Sequence, residues 1–250
     1  MKTIYKKTKI HFLYYIVALL AILTGLFKDF IILSLLIFIH EMGHVLMALY
    51  HSWDINKIII LPFGGLTIFK EHLNKPLKEE FMILIMGPLF QTLFYLLAFY
   101  LKPNDLLTNY HYALLLFNML PIIPLDGSKL VNLISNLFFS FKVSHLMVIY
   151  LSILFLGGIL LYNLNNLIIL LVFSFLIIKV IWEYKYHNYI FNKFLVERFI
   201  YKFKFRKTKV IKGLKLSKMF RDYNHDFIVG NKLYKEEEVL KQRFDKSKDL

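Results

Sequence analysis

FIILSLLIFIHEMGHVLMALY, residues 30–50, is a long run of mostly apolar residues. Its length matches the roughly 20 mostly apolar residues that a helix needs to cross a bilayer. Yet it carries His40, Glu41 and His44 within five positions. Ionisable side chains inside a span cost about 2.5–3.5 kcal/mol each on insertion scales, so they persist mainly where they function or find partners. A helix brings residues four apart onto one face, one turn from each other. Both imidazoles can then ligate one Zn²⁺, and Glu41 stands beside the metal, where a carboxylate can take a proton from water. The competing reading is that the two His and the Glu satisfy one another or line a proton or metal path in a transporter.

Similar apolar runs occupy Ile10–Phe27, Phe81–Leu101, His145–Tyr162 and Leu164–Trp182, with a broken one at Tyr110–Leu125. Together with Phe30–Tyr50 these predict an all-α polytopic membrane protein of about six transmembrane helices. Composition agrees: 58% of residues are hydrophobic and 19% charged, against about 45–50% and 25% in soluble domains. The net charge of +14 comes from Lys and Arg at the two ends and in His51–Glu80 and Lys129–Lys142, not from a basic groove interleaved with aromatics. Nucleic acid is therefore not expected as a partner. By the positive-inside rule both termini are expected in the cytoplasm, and the lipid bilayer is the surrounding solvent. The basic start followed by an apolar run mimics a secretory signal, but no small-residue cleavage site follows, and Ile10–Phe27 reads as a retained span. Cysteine is absent, so a metal site must use His, Asp or Glu.

The expected domain organisation is a membrane-embedded body, residues 1–182, and a basic cytoplasmic tail, residues 183–250. Within the tail, Tyr184–Phe205 mixes aromatic and basic residues and reads as a helix at headgroup level. Phe227–Tyr234 followed by Glu236–Phe244 reads as strand, turn and short helix. In the body, Lys57–Leu61 and Leu66–Phe69 flank Pro62-Phe63-Gly64-Gly65, a hairpin pattern with a glycine turn. Such a hairpin can enter the bilayer as a re-entrant element and offer a strand edge to an extended peptide; a surface hairpin without function is the alternative.

Two His leave tetrahedral zinc short of a third protein ligand, since catalytic sites keep the fourth position for water. The candidate is Asp126, in Asn118-Met-Leu-Pro121-Ile-Ile-Pro124-Leu-Asp126-Gly127. Pro121 and Pro124 cannot continue a regular helix, and irregular backbone at membrane depth is tolerated only where protein or a watery cavity covers it. A broken helix can thus turn the Asp126 carboxylate inward. The alternative is that Asp126 caps the helix that follows. Asn118 is a candidate catalytic residue, donating a hydrogen bond to a substrate carbonyl or its developing oxyanion, with an interhelical hydrogen bond as the alternative.

His40-Glu41-x-x-His44 in one span with Asn118-x-x-Pro121-x-x-Pro124-Leu-Asp126-Gly127 in a later one resembles the site-2 proteases, intramembrane zinc metalloproteases that cleave membrane-associated regulators. The resemblance covers about residues 8–200. It implies Zn²⁺ at His40, His44 and Asp126, Glu41 as the catalytic base, and Asn118 and Pro124 as supporting residues. The short body and cytoplasmic extension are most similar to the sporulation branch of that family. That branch implies the precursor of the sigma factor sigma-K as substrate and inhibitory membrane proteins as further partners. Gly87-Pro88-Leu89-Phe90-Gln91 matches a Gly-Pro element of the family, with Gln91 where Asn is often found. Relatives of this type end in a nucleotide-binding CBS domain, whereas here only the strand-turn-helix end of the tail resembles such a remnant.

Overall fold

The computed structural model describes residues 8–61, 64–70, 72–162 and 167–245. Pro62 and Phe63 of the hairpin turn, the Asn163–Asn166 connection and most of the basic N-terminus lie outside them. The chain divides into two compact units, residues 1–71 with 78–119, and residues 72–77 with 120–250.

The first unit contains β1 (Thr8–Ile10), α1 (Phe12–Leu23), α2 (Phe27–Tyr50), β2 (Ile55–Leu61), β3 (Gly64–Phe69), nearly all of α3 (Leu77–Leu101) and α4 (Asp105–Asn118). The hairpin predicted from the glycine turn is present as β2 antiparallel to β3, with Ile59 opposite Leu66, and β1 adds to β2 in parallel. On α2 the buried residues Leu36, Ile37, His40, Gly43, His44, Val45 and Ala48 recur at helical spacing and form one stripe. Leu36 and Ile37 pack with Tyr95, Leu107 and Leu114. Val45 meets Ile55 and Ile58 of the sheet. The histidines therefore sit mid-stripe, with apolar packing above and below.

The second unit holds α5 (Asp126–Phe138), α6 (Phe141–Tyr162), α7 (Leu167–Tyr201), β4 (Lys207–Lys212), β5 (Tyr223–Val229), β6 (Lys232–Lys235) and α8 (Glu236–Phe244). β4 pairs in parallel with β5, and β5 antiparallel with β6. With two three-stranded sheets, the all-α expectation is too narrow: the chain is mostly helical with small β-sheets.

Among the described residues, three helices are long and apolar enough to cross a membrane: Phe27–Tyr50, Leu77–Leu101 and Phe141–Leu161. Their outward sides expose Leu93, Leu96, Leu97 and Leu154, an arrangement that lipid accommodates and water does not. The other expected spans are not established. α1 has 12 residues, about 18 Å of helix, against a hydrocarbon core of about 30 Å; Tyr110–Leu125 straddles the end of α4; and Leu164–Trp182 begins outside the described residues. α7 runs unbroken through Trp182 to Tyr201.

Around the end of α7, the second unit is organised by a buried polar cluster. Arg198 is 3% exposed, and its guanidinium donates to Asn74 Oδ1, the Phe220 and Tyr223 carbonyls and both carboxylate oxygens of Glu236, at 2.7–3.1 Å. Burial of a charge is tolerated when it is paired and fully hydrogen-bonded. His225 Nε2 accepts the Phe220 N–H at 2.9 Å, so its proton sits on Nδ1, 2.8 Å from Glu236 Oε2. The ring is thus held neutral. Its pKa lies below the ordinary 6.5, chiefly through burial, against the pull of Glu236; the Glu236 carboxyl lies below its ordinary 4.5, because His225 and Arg198 outweigh burial.

Both groups bind fewer protons folded than unfolded. Their contribution is fully present above about pH 6.5 and is lost as the pH falls, first through His225 and then through Glu236. The expected result is that the unfolding midpoint of this unit, followed by protease susceptibility of the chain in detergent, drops between about pH 7.5 and 5.5. In His225→Gln, which can accept from Phe220 and donate to Glu236, the dependence should become shallower across that range. An unchanged slope would contradict the assignment.

Candidate metal centre and active site

α2 and α3 meet backbone to backbone. A Cβ on Gly43 would collide with the Met86 carbonyl and lie 3.0 Å from the Gly87 Cα, the close approach that small residues permit between membrane helices. This contact brings Gly87 under the two imidazoles. A Cβ there would overlap His44 Nε2 and stand 2.9 Å from His40 Nε2. Gly87 thus leaves open the space into which both nitrogens face.

His40 and His44 are buried, their ring centroids 4.8 Å apart and the rings nearly perpendicular. The His44 Nδ1 lies 2.8 Å from the Ile83 carbonyl, which can only accept, so Nδ1 carries the proton and Nε2 the lone pair. The His40 Nδ1 lies 2.9 Å from Gln91 Oε1. The two Nε2 atoms are 3.1 Å apart. Two lone pairs so close, each ring anchored at its other nitrogen, form a donor set suited to a shared cation. The residues present therefore fit zinc.

Glu41, one residue along α2, points toward the sheet. Its Oε2 accepts a 2.7 Å hydrogen bond from Thr67 Oγ1. A Cβ on Gly65 would meet the Glu41 carboxylate, 2.6 Å from Oε1, so β3 lies directly against the acid. In its sheet β3 is an edge strand, with β2 as its single strand neighbour among the described residues. The contributions of Thr67 and Gly65 were not visible in the sequence, where the hairpin reads as a re-entrant element that offers a strand edge, with no residue of it assigned to Glu41. A polar residue and a glycine on the strand after a predicted turn are the faint signal that was available.

Asn118 ends α4 in the first unit, half-buried. Asp126 belongs to the second unit. It is buried in the first turn of α5, with Lys129 Nζ 2.8 Å from its Oδ1. The N-cap residue of α5 is Leu125, whose side chain makes no cap hydrogen bond. A carboxylate in a first turn also gains from the helix dipole, and Asp126, like the two histidines, offers one ligand oxygen or nitrogen to a metal.

Known proteins sharpen this picture. The sequence model of Peptidase family M50 matches residues 29–104. Stage IV sporulation protein FB of Bacillus subtilis (strain 168) is 36% identical over 205 residues, covering 77% of this chain and 71% of that protein. A zinc metalloprotease of Methanocaldococcus jannaschii is 29% identical over 116 residues, covering 42% of this chain and 33% of the other. Among solved structures, the site-2 protease from Methanocaldococcus jannaschii superposes with a TM-score of 0.58 at 22% identity, covering 70% of this chain and 89% of that one, and so shares the fold. With a relative this similar over most of both lengths and a His pair built to hold a cation, the chain belongs to peptidase family M50, the site-2 proteases, and is a multi-pass membrane zinc metalloendopeptidase.

Proposed function

We propose that the chain cleaves a membrane-associated regulatory protein, the precursor of a sporulation sigma factor of the sigma-K type, with zinc held by His40, His44 and Asp126. The similarity to a stage IV sporulation protein supports the substrate class. The observation that carries the chemistry is the locked histidine pair, with two Nε2 lone pairs 3.1 Å apart and a carboxylate on the next residue. Zinc, when bound, lowers the pKa of water and polarises the scissile carbonyl. Glu41 then takes the proton of the attacking water and returns it to the leaving amine. Thr67 holds one oxygen of that carboxylate, fixing its rotamer while Oε1 remains to move the proton. Asn118 donates to the developing oxyanion.

A helical peptide bond is shielded by its own hydrogen bonds, so the substrate must be unwound where it is cut. The outer edge of β3 supports that step. An extended segment added there gains main-chain hydrogen bonds and passes next to Glu41, which β3 already touches. On this reading both termini lie in the cytoplasm, inhibitory membrane proteins restrain the enzyme until late sporulation, and residues 183–250 form a tail that recruits substrate or regulator. A transporter reading is not favoured by the comparisons.

The test is co-expression with a candidate sigma precursor. A shortened product is expected with the native chain. Asp126→Asn should abolish it and lower the zinc content of the purified protein at least about tenfold. Full zinc in that variant would reject Asp126 as a ligand, and an uncut precursor in the presence of an enzyme that cuts a model peptide would reject the substrate class. A reporter fused after Trp182 should signal cytoplasm; an exterior signal would overturn the orientation.

A further inference from the structure

We propose that Gln91 is a positioning residue that fixes the tautomer and ring orientation of His40, and that its own orientation is set by the backbone of His111. Gln91 is 0% exposed, in the middle of α3. A primary amide buried there is costly unless it is hydrogen-bonded at both ends. Here both ends are engaged. Gln91 Nε2 is 3.1 Å from the His111 carbonyl and 3.1 Å from His111 Nδ1, and Oε1 is 2.9 Å from His40 Nδ1.

The direction of this chain follows from chemistry. A backbone carbonyl only accepts, so the Gln91 atom beside it must be the NH₂ group, which places the amide oxygen toward His40. An amide oxygen also only accepts, so His40 Nδ1 must carry the proton and Nε2 the lone pair. A Gln flipped by 180° would set its oxygen against the His111 carbonyl oxygen and is excluded. Residues 111 and 91 thus dictate which nitrogen of residue 40 can bind a metal. The platform is rigid: the His111 ring is buried and stacks on Tyr95 with centroids 4.2 Å apart and planes within 4°. His44 receives the same service directly from the Ile83 carbonyl. His40 therefore depends on a side chain for its tautomer, and a mutation at Gln91 can reach the metal without touching a ligand. All of these residues lie in the first unit.

The inference rests on His40 being a zinc ligand, and the experiment separates the two. Purified protein in detergent is titrated with a zinc chelator, its cobalt-substituted form is examined by visible absorption, and unfolding is followed in the zinc-free form. Native protein that binds no zinc would remove the metal reading itself. Given native binding, Gln91→Met, similar in shape but without the amide, should bind zinc about 10–100-fold more weakly and show a shifted cobalt spectrum. Its kcat should fall while KM for a model peptide stays within about threefold, since peptide contacts are untouched. Equal zinc affinity and an identical cobalt spectrum in Gln91→Met would overturn the proposal. If that variant is not recovered folded, Gln91→Glu carries the test, because a carboxyl in its protonated form keeps an acceptor toward His40 Nδ1 and a donor toward the His111 carbonyl. It should hold zinc more tightly than any Gln91 variant lacking an acceptor, and loss of zinc from a folded Gln91→Glu protein would overturn the role.

Discussion

Glu41→Gln should reduce cleavage by at least about a thousandfold, within the range by which a positioned general base accelerates proton transfer, while the zinc content of the protein stays at the native level. The amide keeps the shape of the side chain and can still accept the hydrogen bond that Thr67 donates to the carboxylate, so β3 should remain seated against it. What the amide cannot do is take a proton from water. The separation matters because the histidines are anchored elsewhere, His40 to Gln91 and His44 to the Ile83 carbonyl. Product formation and metal content measured on one preparation check it. Cleavage within about tenfold of native would remove Glu41 as the base, and loss of zinc along with activity would mean that the carboxylate holds the metal and not the proton.

The histidine pair was legible in the sequence because its geometry is local: four residues on a helix determine that two side chains share a face. The hairpin was legible for the same reason, and so was the end of the tail, where the expected strand, turn and helix appear as β5, Gly230-Asn231 and α8, with β6 as an additional strand. Local signals failed where partners are distant. Gln91 is 51 residues from His40 and Thr67 is 26 from Glu41, and neither separation leaves a mark on either segment. β4 was missed because Lys207-Thr-Lys-Val-Ile-Lys buries only Ile211, so its pairing with β5 has little hydrophobic signature. The Arg198 cluster was missed too: a basic residue in a basic tail reads as solvated until Glu236, 38 positions on, is seen to meet it in the interior. Three of the expected spans stand as long apolar helices among the described residues. Apolar content persists through Ile10–Phe27, but the backbone spends part of that length on a strand and ends its helix at Leu23.

Gly87→Ala is expected to do as much damage as losing a ligand, although the change is one methyl group on a residue that carries no chemistry. The added Cβ would occupy the space facing both imidazoles, overlapping His44 Nε2 and standing 2.9 Å from His40 Nε2. Relief by parting the helices is closed off, because α2 and α3 already touch at Gly43 and Met86 along their backbones, and separating them would open the packing of Leu36 and Ile37 against Tyr95. Overpacking of that kind costs about 1–3 kcal/mol. The cheaper response is rotation of the imidazoles, which breaks the Nδ1 hydrogen bonds to Ile83 and Gln91 and turns both lone pairs away from a common point. Zinc affinity should therefore fall by about 100-fold or more, the upper end of what disturbing the surroundings of a metal ligand produces, and cleavage should fall with it. Helical content and detergent solubility should stay near native, since the apolar stripe of α2 is unchanged. Metal content, chelator titration and circular dichroism on the same sample decide the matter. Native zinc affinity in Gly87→Ala would show that the two Nε2 atoms do not share an ion at this position, and the metal centre would have to be placed elsewhere.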